Sequence, residues 1–247
     1  MRSLLVINPN TSSSVSGLLQ HHLQHALAQG VAVQALTARF GAAYINSEAS
    51  YAVAQHAVLD AWAVALSRDA RPDAVLIGCF GDPGLFALRE GAGVPVSGLA
   101  EAAFAAAARH GRFAIVTGGE RWRPMLERLA CALGQDCALA GIHTVAPSGA
   151  DLAADPERAR KLLTRACLDA AHRFGADALV LGGAALAGMA ADIAPSVPLP
   201  LIDSVQAGAE WAGQVLQRAQ PASAPEPGSG SFGVAWHNTS WEMTALR

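Results

Sequence analysis

The sequence predicts an α/β fold of two similar α/β/α halves, each with a parallel sheet, related by a pseudo-twofold axis. Three observations predict it. Short continuous apolar runs alternate with longer helical patterns throughout, as strands buried on both faces read in a sequence. Residues 73–84 read DAVLIGCFGDPG and residues 177–188 read DALVLGGAALAG; aligned without a gap, Asp73 falls on Asp177, Gly78 on Gly182 and Gly84 on Gly188. The match continues, after one inserted residue, as GVPVSGLAEAA against PLPLIDSVQAGA, and more weakly RSLLVINPN resembles RFAIVTGGE at 112–120.

The elements follow in order. Ser3–Ile7 is an apolar strand, and the pattern after it is helical, with Ser12 as N-cap and Gly30 as stop. Val31–Thr37 is a strand, 47–67 an alanine-rich helix, 74–77 a strand and 83–90 a short helix with Asp82 as N-cap and Pro83 at its first position. A strand at 94–96 and a helix at 99–109 close the first series. The second series has strands at 112–116, 137–143, 178–181 and 199–202, and helices at 121–133, 156–174, 184–193 and 204–217. The domain reading is a first half over 1–98, a second over 99–203, and a helix at 204–217 packing back on the first half. Residues 219–231 (AQPASAPEPGSGS) read as a linker, and 219–247 together as linker and tail, with Trp236 and Trp241 available to dock on this chain or a partner subunit.

Composition narrows the function classes. The chain has 247 residues, 52% hydrophobic and 15% charged, with a net charge of −3. It has no basic stripe, so neither nucleic acid nor an anionic membrane is expected as a partner. The first apolar run, Leu4–Ile7, is too short for a secretory leader, and no stretch approaches the roughly 18 apolar residues of a membrane helix. The expectation is a cytoplasmic protein. Its four cysteines form no CxxC pair and no zinc-like cluster, so no metal is expected. Cys131, Cys137 and Cys167 fall inside helix and strand patterns and read as core. His21, His22 and His25 read as a solvent-facing patch, since no HExxH-type carboxylate accompanies them.

Ligands of open α/β sheets bind at the carboxyl ends of the strands, which puts the candidate site in the cleft between the halves. INPNTS (7–12) ends the first strand, where Asn10, Thr11 and the backbone N–H groups of a helix start make a cradle for an anion or a polarised carbonyl; ordinary N-capping is the alternative. GCFGDPG (78–84) ends the third strand. There Gly78 lets the backbone approach a ligand, and Cys79, with Phe80 beside it, stands before a helix start that can lower a thiol pKa. A buried structural cysteine is the alternative. In the second half Thr117 and Gly118 end one strand, and Gly183 and Ala184 stand where the repeat matches Cys79 and Phe80.

INPNTS, IGCFGDPGL with LRE after it, and the matched glycine-rich turn a hundred residues on resemble the aspartate/glutamate/hydantoin racemase superfamily, most of all its hydantoin racemase branch, which includes allantoin racemases. The resemblance covers about 1–215. It implies cofactor-independent chemistry in which two cysteines, one from each half, flank the substrate α-carbon. One removes the proton and the other returns one to the opposite face. Cys79 matches the first cysteine, while the second sits in an LGCAGM-like turn whose place here is taken by Gly183. Asn10 and Thr11 match the family's substrate-holding turn, and Thr117 and Gly118 its contacts from the second half. More distantly, arylmalonate decarboxylases and maleate isomerases share the resemblance. The expected function is a hydantoin or amino-acid racemase using Cys79 as acid/base on a hydantoin, an amino acid or a small carboxylic acid. The alternatives are a one-thiol lyase that decarboxylates a malonate-like acid, and a binding homologue without turnover. A homo-oligomer is expected.

Overall fold

The computed structural model describes residues 2–67, 71–218, 234–235 and 244–245. The first sheet contains β1 (Arg2–Asn8), β2 (Val31–Thr37), β3 (Ala74–Ile77) and β4 (Val96–Gly98), all parallel, in the order β2-β1-β3-β4. The second contains β5 (Phe113–Gly118), β6 (Leu139–Val145), β7 (Ala178–Gly182) and β8 (Leu201–Asp203), parallel in the order β6-β5-β7-β8. The two orders are the same strand for strand, so the two-sheet α/β architecture expected from the repeat is the one observed. Val234–Ala235 and Thr244–Ala245 pair as a short antiparallel ladder, β9 and β10. The linker at 219–231, Trp236 and Trp241 lie outside the described residues.

In each half a helix follows every strand. In the first, α1 is Ser13–Ala26, α2 Glu48–Leu66 and α3 Leu85–Gly91, and α4 (Leu99–Ala108) follows β4. In the second, α5 is Trp122–Ala132, α6 Gly149–Ala154, α7 Pro156–Phe174 and α8 Met189–Ile193, and α9 (Ser204–Arg218) follows β8. Local signals set the ends. Ser12 caps α1, Ser47 and Ser50 form a capping box on α2, and Asp155 with Pro156 starts α7, which stops at Gly175 with φ +56°.

Four expectations need correction. The strand expected at 137–143 is Leu139–Val145, because turn hydrogen bonds from Gly134 to Cys131 and from Ala138 to Gln135 occupy the approach. Residues 184–193 are not one helix but a single 3₁₀ turn at 184–186 followed by α8, because Gly188 breaks the run with φ +82°. The helix after the GCFGDPG turn starts at Leu85 from Gly84, with no side-chain cap, so Asp82 does not cap it. Cys131 and Cys137 are exposed rather than core; Cys131 lies off the face of α5 that buries Met125, Leu126, Leu129 and Ala130, and Cys137 precedes its strand.

The two helices that follow the edge strands join the halves. α4 leaves the first sheet and packs against β7 and α9, while α9 leaves the second and packs against β3, α1 and α4. Gly208 permits this approach: a Cβ there would lie 3.0 Å from both Leu76 and Leu99. One hydrophobic cluster therefore runs from the first sheet through Phe104 on α4 to Phe113, Ile115 and Val180 of the second sheet. A second cluster, which includes Leu163 and Cys167 of α7, covers the second sheet's other face. Burial of this continuous kind is the main favourable term in folding, and here it also fixes how the two sets of strand ends face each other.

Candidate active site

The carboxyl ends of β1, β3, β5 and β7 open on a cavity of about 320 Å³ between the halves, a size suited to a small ligand. Asn10, Gly78, Cys79, Phe80, Thr117, Gly118, Gly183 and Ala184 all line it. Thr11 does not line it, and its N–H is bound to the Ala42 carbonyl at 3.1 Å. Three residues that the sequence reading passed over, Tyr44, Trp122 and Gly149, line it as well. Tyr44 lies in the loop RFGAAYINS after β2, and its place beyond a strand's carboxyl end was the one signal that could have found it.

The INPNTS turn is pinned from within. Asn8 is fully buried and its Nδ2 donates to Asn10 Oδ1 at 2.9 Å, to the Ser12 carbonyl at 3.0 Å and to Ser16 Oγ at 3.0 Å. Asn10 Oδ1 also accepts from the Ser12 N–H at 2.9 Å. That backbone donor fixes the orientation of the Asn10 amide. Its oxygen is committed to the turn, which leaves the nitrogen as the donor not used in it.

Cys79 is 7% exposed. The expectation of a lowered thiol pKa does not hold. The helix starts six residues further on, and burial, then the nearby Asp82 carboxyl, push the thiol up. Neighbours fix the turn around it. The ring of Trp122 lies where a Cβ of Gly81 would be, and the Tyr51 hydroxyl donates to the Gly81 carbonyl at 2.7 Å. Phe80 lies edge-on to Phe104 at 5.9 Å and occupies the space beside Gly182, where a Cβ would overlap its ring. Gly78 also packs tightly, since a Cβ there would press on Leu19 and Val6.

Asp82 caps a different helix from the expected one. Its carboxylate accepts from the Ala100 N–H at 2.9 Å and the Glu101 N–H at 2.7 Å at the start of α4. Gly98 makes this possible, because a Cβ there would overlap the carboxyl. In the second half Asp203 does the same for α9, accepting from Val205 at 2.8 Å and Gln206 at 3.2 Å.

In the second half the Thr117 hydroxyl is taken, donating to the Gly182 carbonyl at 2.8 Å. The Gly118 carbonyl accepts from the Tyr44 hydroxyl at 3.3 Å, and the Gly183 N–H donates to Ser204 Oγ at 3.2 Å. Gly183 has φ +147°. The described residues contain no group of three or more His, Cys, Asp or Glu placed to hold a metal, and no helix among them is long and apolar enough to cross a membrane.

A family model described as Asp/Glu/Hydantoin racemase matches residues 4–212. The chain belongs to that family. The hydantoin racemase of Paenarthrobacter aurescens is 34% identical over 209 residues, 83% of this chain and 86% of the relative. That of Pseudomonas sp. (strain NS671) is 30% identical over 219 residues, 88% and 87% of the two chains. Among solved structures, allantoin racemase from Klebsiella pneumoniae matches with a TM-score of 0.82 at 29% identity, covering 88% of each chain. The family member described here is accordingly an isomerase of racemase type.

Proposed function

We propose that this racemase inverts the α-carbon of a neutral, carbonyl-activated ring of the hydantoin type, with Cys79 as its acid/base. The observation that carries the reading is the lining. Cys79 stands in a cavity that no described lysine, arginine, histidine, aspartate or glutamate lines. A free amino acid would bring a carboxylate and an ammonium into this space without counter-charges, and burying unpaired charge is strongly unfavourable. A hydantoin brings neutral carbonyls and N–H groups, which Asn10 and the main chain around Phe80, Gly118 and Ala184 can pair. Val15, Leu18, Ile45 and Leu186 offer apolar contact to a substituent.

The burial that raises the thiol suits this chemistry. A thiolate that is harder to form is also a stronger base toward a carbon-bound proton. The electron pair left on the ring moves onto a carbonyl, where N–H donors stabilise it. A lyase acting on a malonate-like diacid would have to bring two carboxylates into the same uncharged lining, which counts against it.

The test is to incubate an enantiopure 5-alkylhydantoin with the protein in deuterium oxide and follow deuterium incorporation and optical rotation. Incorporation with loss of rotation, abolished in Cys79→Ala, is the expected result. Turnover of a free amino acid in preference to the hydantoin would overturn the substrate class.

A further inference from the structure

Inverting one carbon requires a proton acceptor on one face and a donor on the other. All four cysteines are described, and only Cys79 lines the cavity; Cys131 and Cys137 are exposed, and Cys167 lies in the core of the second half. Among the lining side chains one other can ionise, that of Tyr44. The lining hydroxyls of Ser12, Ser14 and Thr117 are much weaker acids, and that of Thr117 is bound to Gly182.

The position of Tyr44 fits the missing role. It is carried by the first half, in the loop between β2 and α2, but its hydroxyl rests on the second half. It donates to the Gly118 carbonyl at the end of β5 at 3.3 Å and accepts from the Gly149 N–H at 3.1 Å. The thiol thus reaches the cavity from the end of β3, and the phenol is anchored at the end of β5. The bond to Gly118 is long for an O–H donor, so its proton is loosely held and free to turn to another acceptor. We propose that the Tyr44 hydroxyl delivers the proton on the face of the substrate carbon opposite Cys79. The proposal rests on the racemase reading above.

The step balances without a co-reactant. The Cys79 thiolate takes the α-proton, the C–H bond breaks, and its electron pair enters the carbonyl-conjugated system. That pair then takes the Tyr44 proton from the far side. A new C–H bond forms, and the O–H pair stays on oxygen as a phenolate. Gly149 N–H already donates to this oxygen at 3.1 Å and stands ready for the charge, and the Trp122 side chain lines the same cavity. Both lower the phenol pKa against the larger effect of burial, which raises it and keeps the group protonated until it is used. The thiol–phenolate pair runs the reaction in the opposite direction, or returns to its starting form by proton exchange with solvent.

Tyr44→Phe keeps the ring and removes the proton. In deuterium oxide with an enantiopure 5-alkylhydantoin, racemisation should fall at least about a hundredfold, the low end of general-acid contributions. Deuterium incorporation with retained configuration, which needs only Cys79, should fall far less. Racemisation within about threefold of the wild type would overturn the proposal, as would an equal fall of exchange and racemisation in a folded variant, where general-acid loss predicts a split. A second measurement covers the case in which Tyr44→Phe does not fold. The chain has two tyrosines, Tyr44 and Tyr51, and Tyr51 does not line this cavity. Replacing both with the more acidic 3-fluorotyrosine should move the pH profile of racemisation to lower pH and leave that of exchange in place; an unmoved racemisation profile overturns the proposal. A wild type that neither exchanges nor racemises the hydantoin would sink the racemase reading itself, an outcome distinct from the failure of Tyr44 alone.

Discussion

Replacing Asp82 by asparagine should remove a pH dependence built into the fold. Asp82 is 1% exposed, has φ +50°, and accepts the N–H groups of Ala100 and Glu101. Burial is the largest influence on its carboxyl and raises it from 3.8 to about 7, while the N–H bonds at the start of α4 pull the other way. An acid with a folded pKa above its unfolded one binds its proton more tightly when folded. Its stabilisation is fully present below the unfolded value and is lost as pH rises through the folded one. Between about pH 5 and pH 8 that linkage amounts to a loss of about 2.5 kcal/mol. Asparagine sets one amide N–H group against a backbone donor and so costs stability at every pH, but the cost does not titrate. Urea unfolding of both proteins across that range isolates the effect as a difference, since other titrations cancel. The wild-type advantage over Asp82→Asn should shrink by about 2.5 kcal/mol from pH 5 to pH 8. A constant difference, or an advantage that grows with pH, would show the carboxylate ionised throughout and held by the helix start, and would refute the reasoning.

The same neighbourhood predicts thiol behaviour. With iodoacetamide at neutral pH, site-resolved mass spectrometry should find Cys131 and Cys137 alkylated quickly and Cys79 and Cys167 slowly, because burial raises both buried thiols, that of Cys167 to about 12. Asp82→Asn should speed alkylation of Cys79 alone, since the Asp82 charge is the second cause of its shift. A pair of glycine substitutions tests the packing. Gly182→Ala drives a Cβ into the Phe80 ring beside Cys79 and should cost about 1–3 kcal/mol along with most of the activity. Gly17→Ala, on α1 with open space around it, should stabilise by about 0.5–1 kcal/mol, and thermal unfolding of the two reads opposite signs.

The order of elements and the matching halves were legible because buried parallel strands leave continuous apolar runs, and here the runs recur in the same order in the second half. The cavity's thiol was legible too, since a cysteine between a strand and a glycine-rich turn stands out. What failed depended on contacts distant in sequence. Asp82 precedes a proline, the usual mark of a cap, yet it caps a helix that starts seventeen residues later at Leu99 because Gly98 leaves it room. The Thr117 hydroxyl looks available in the sequence and is spent on Gly182. α6 had a readable signal in Ser148 and Asp151, which form its capping box. Tyr44 had almost none, because a loop shows no periodicity and its partners, Gly118 and Gly149, are 74 and 105 residues away.

The asymmetry of the repeat goes deeper than one side chain. Cys79 and Gly183 each stand one residue beyond a matched glycine at the end of a third strand, yet their backbones differ. Asp82 is the only described non-glycine residue at positive φ, so Cys79 is not at positive φ, whereas Gly183 has φ +147°. A side chain at Gly183 would enter a region that L-residues rarely adopt and would meet Leu186 at 3.3 Å. The main chain beyond β7 turns at once into a 3₁₀ helix, and its first N–H group is held by Ser204. The second turn is therefore shaped around glycine, and a thiol placed there would require the backbone to move. A two-base reaction in this cavity has to draw its second proton donor from elsewhere, and the loop after β2 brings Tyr44 to the second half's main chain, where such a donor is needed.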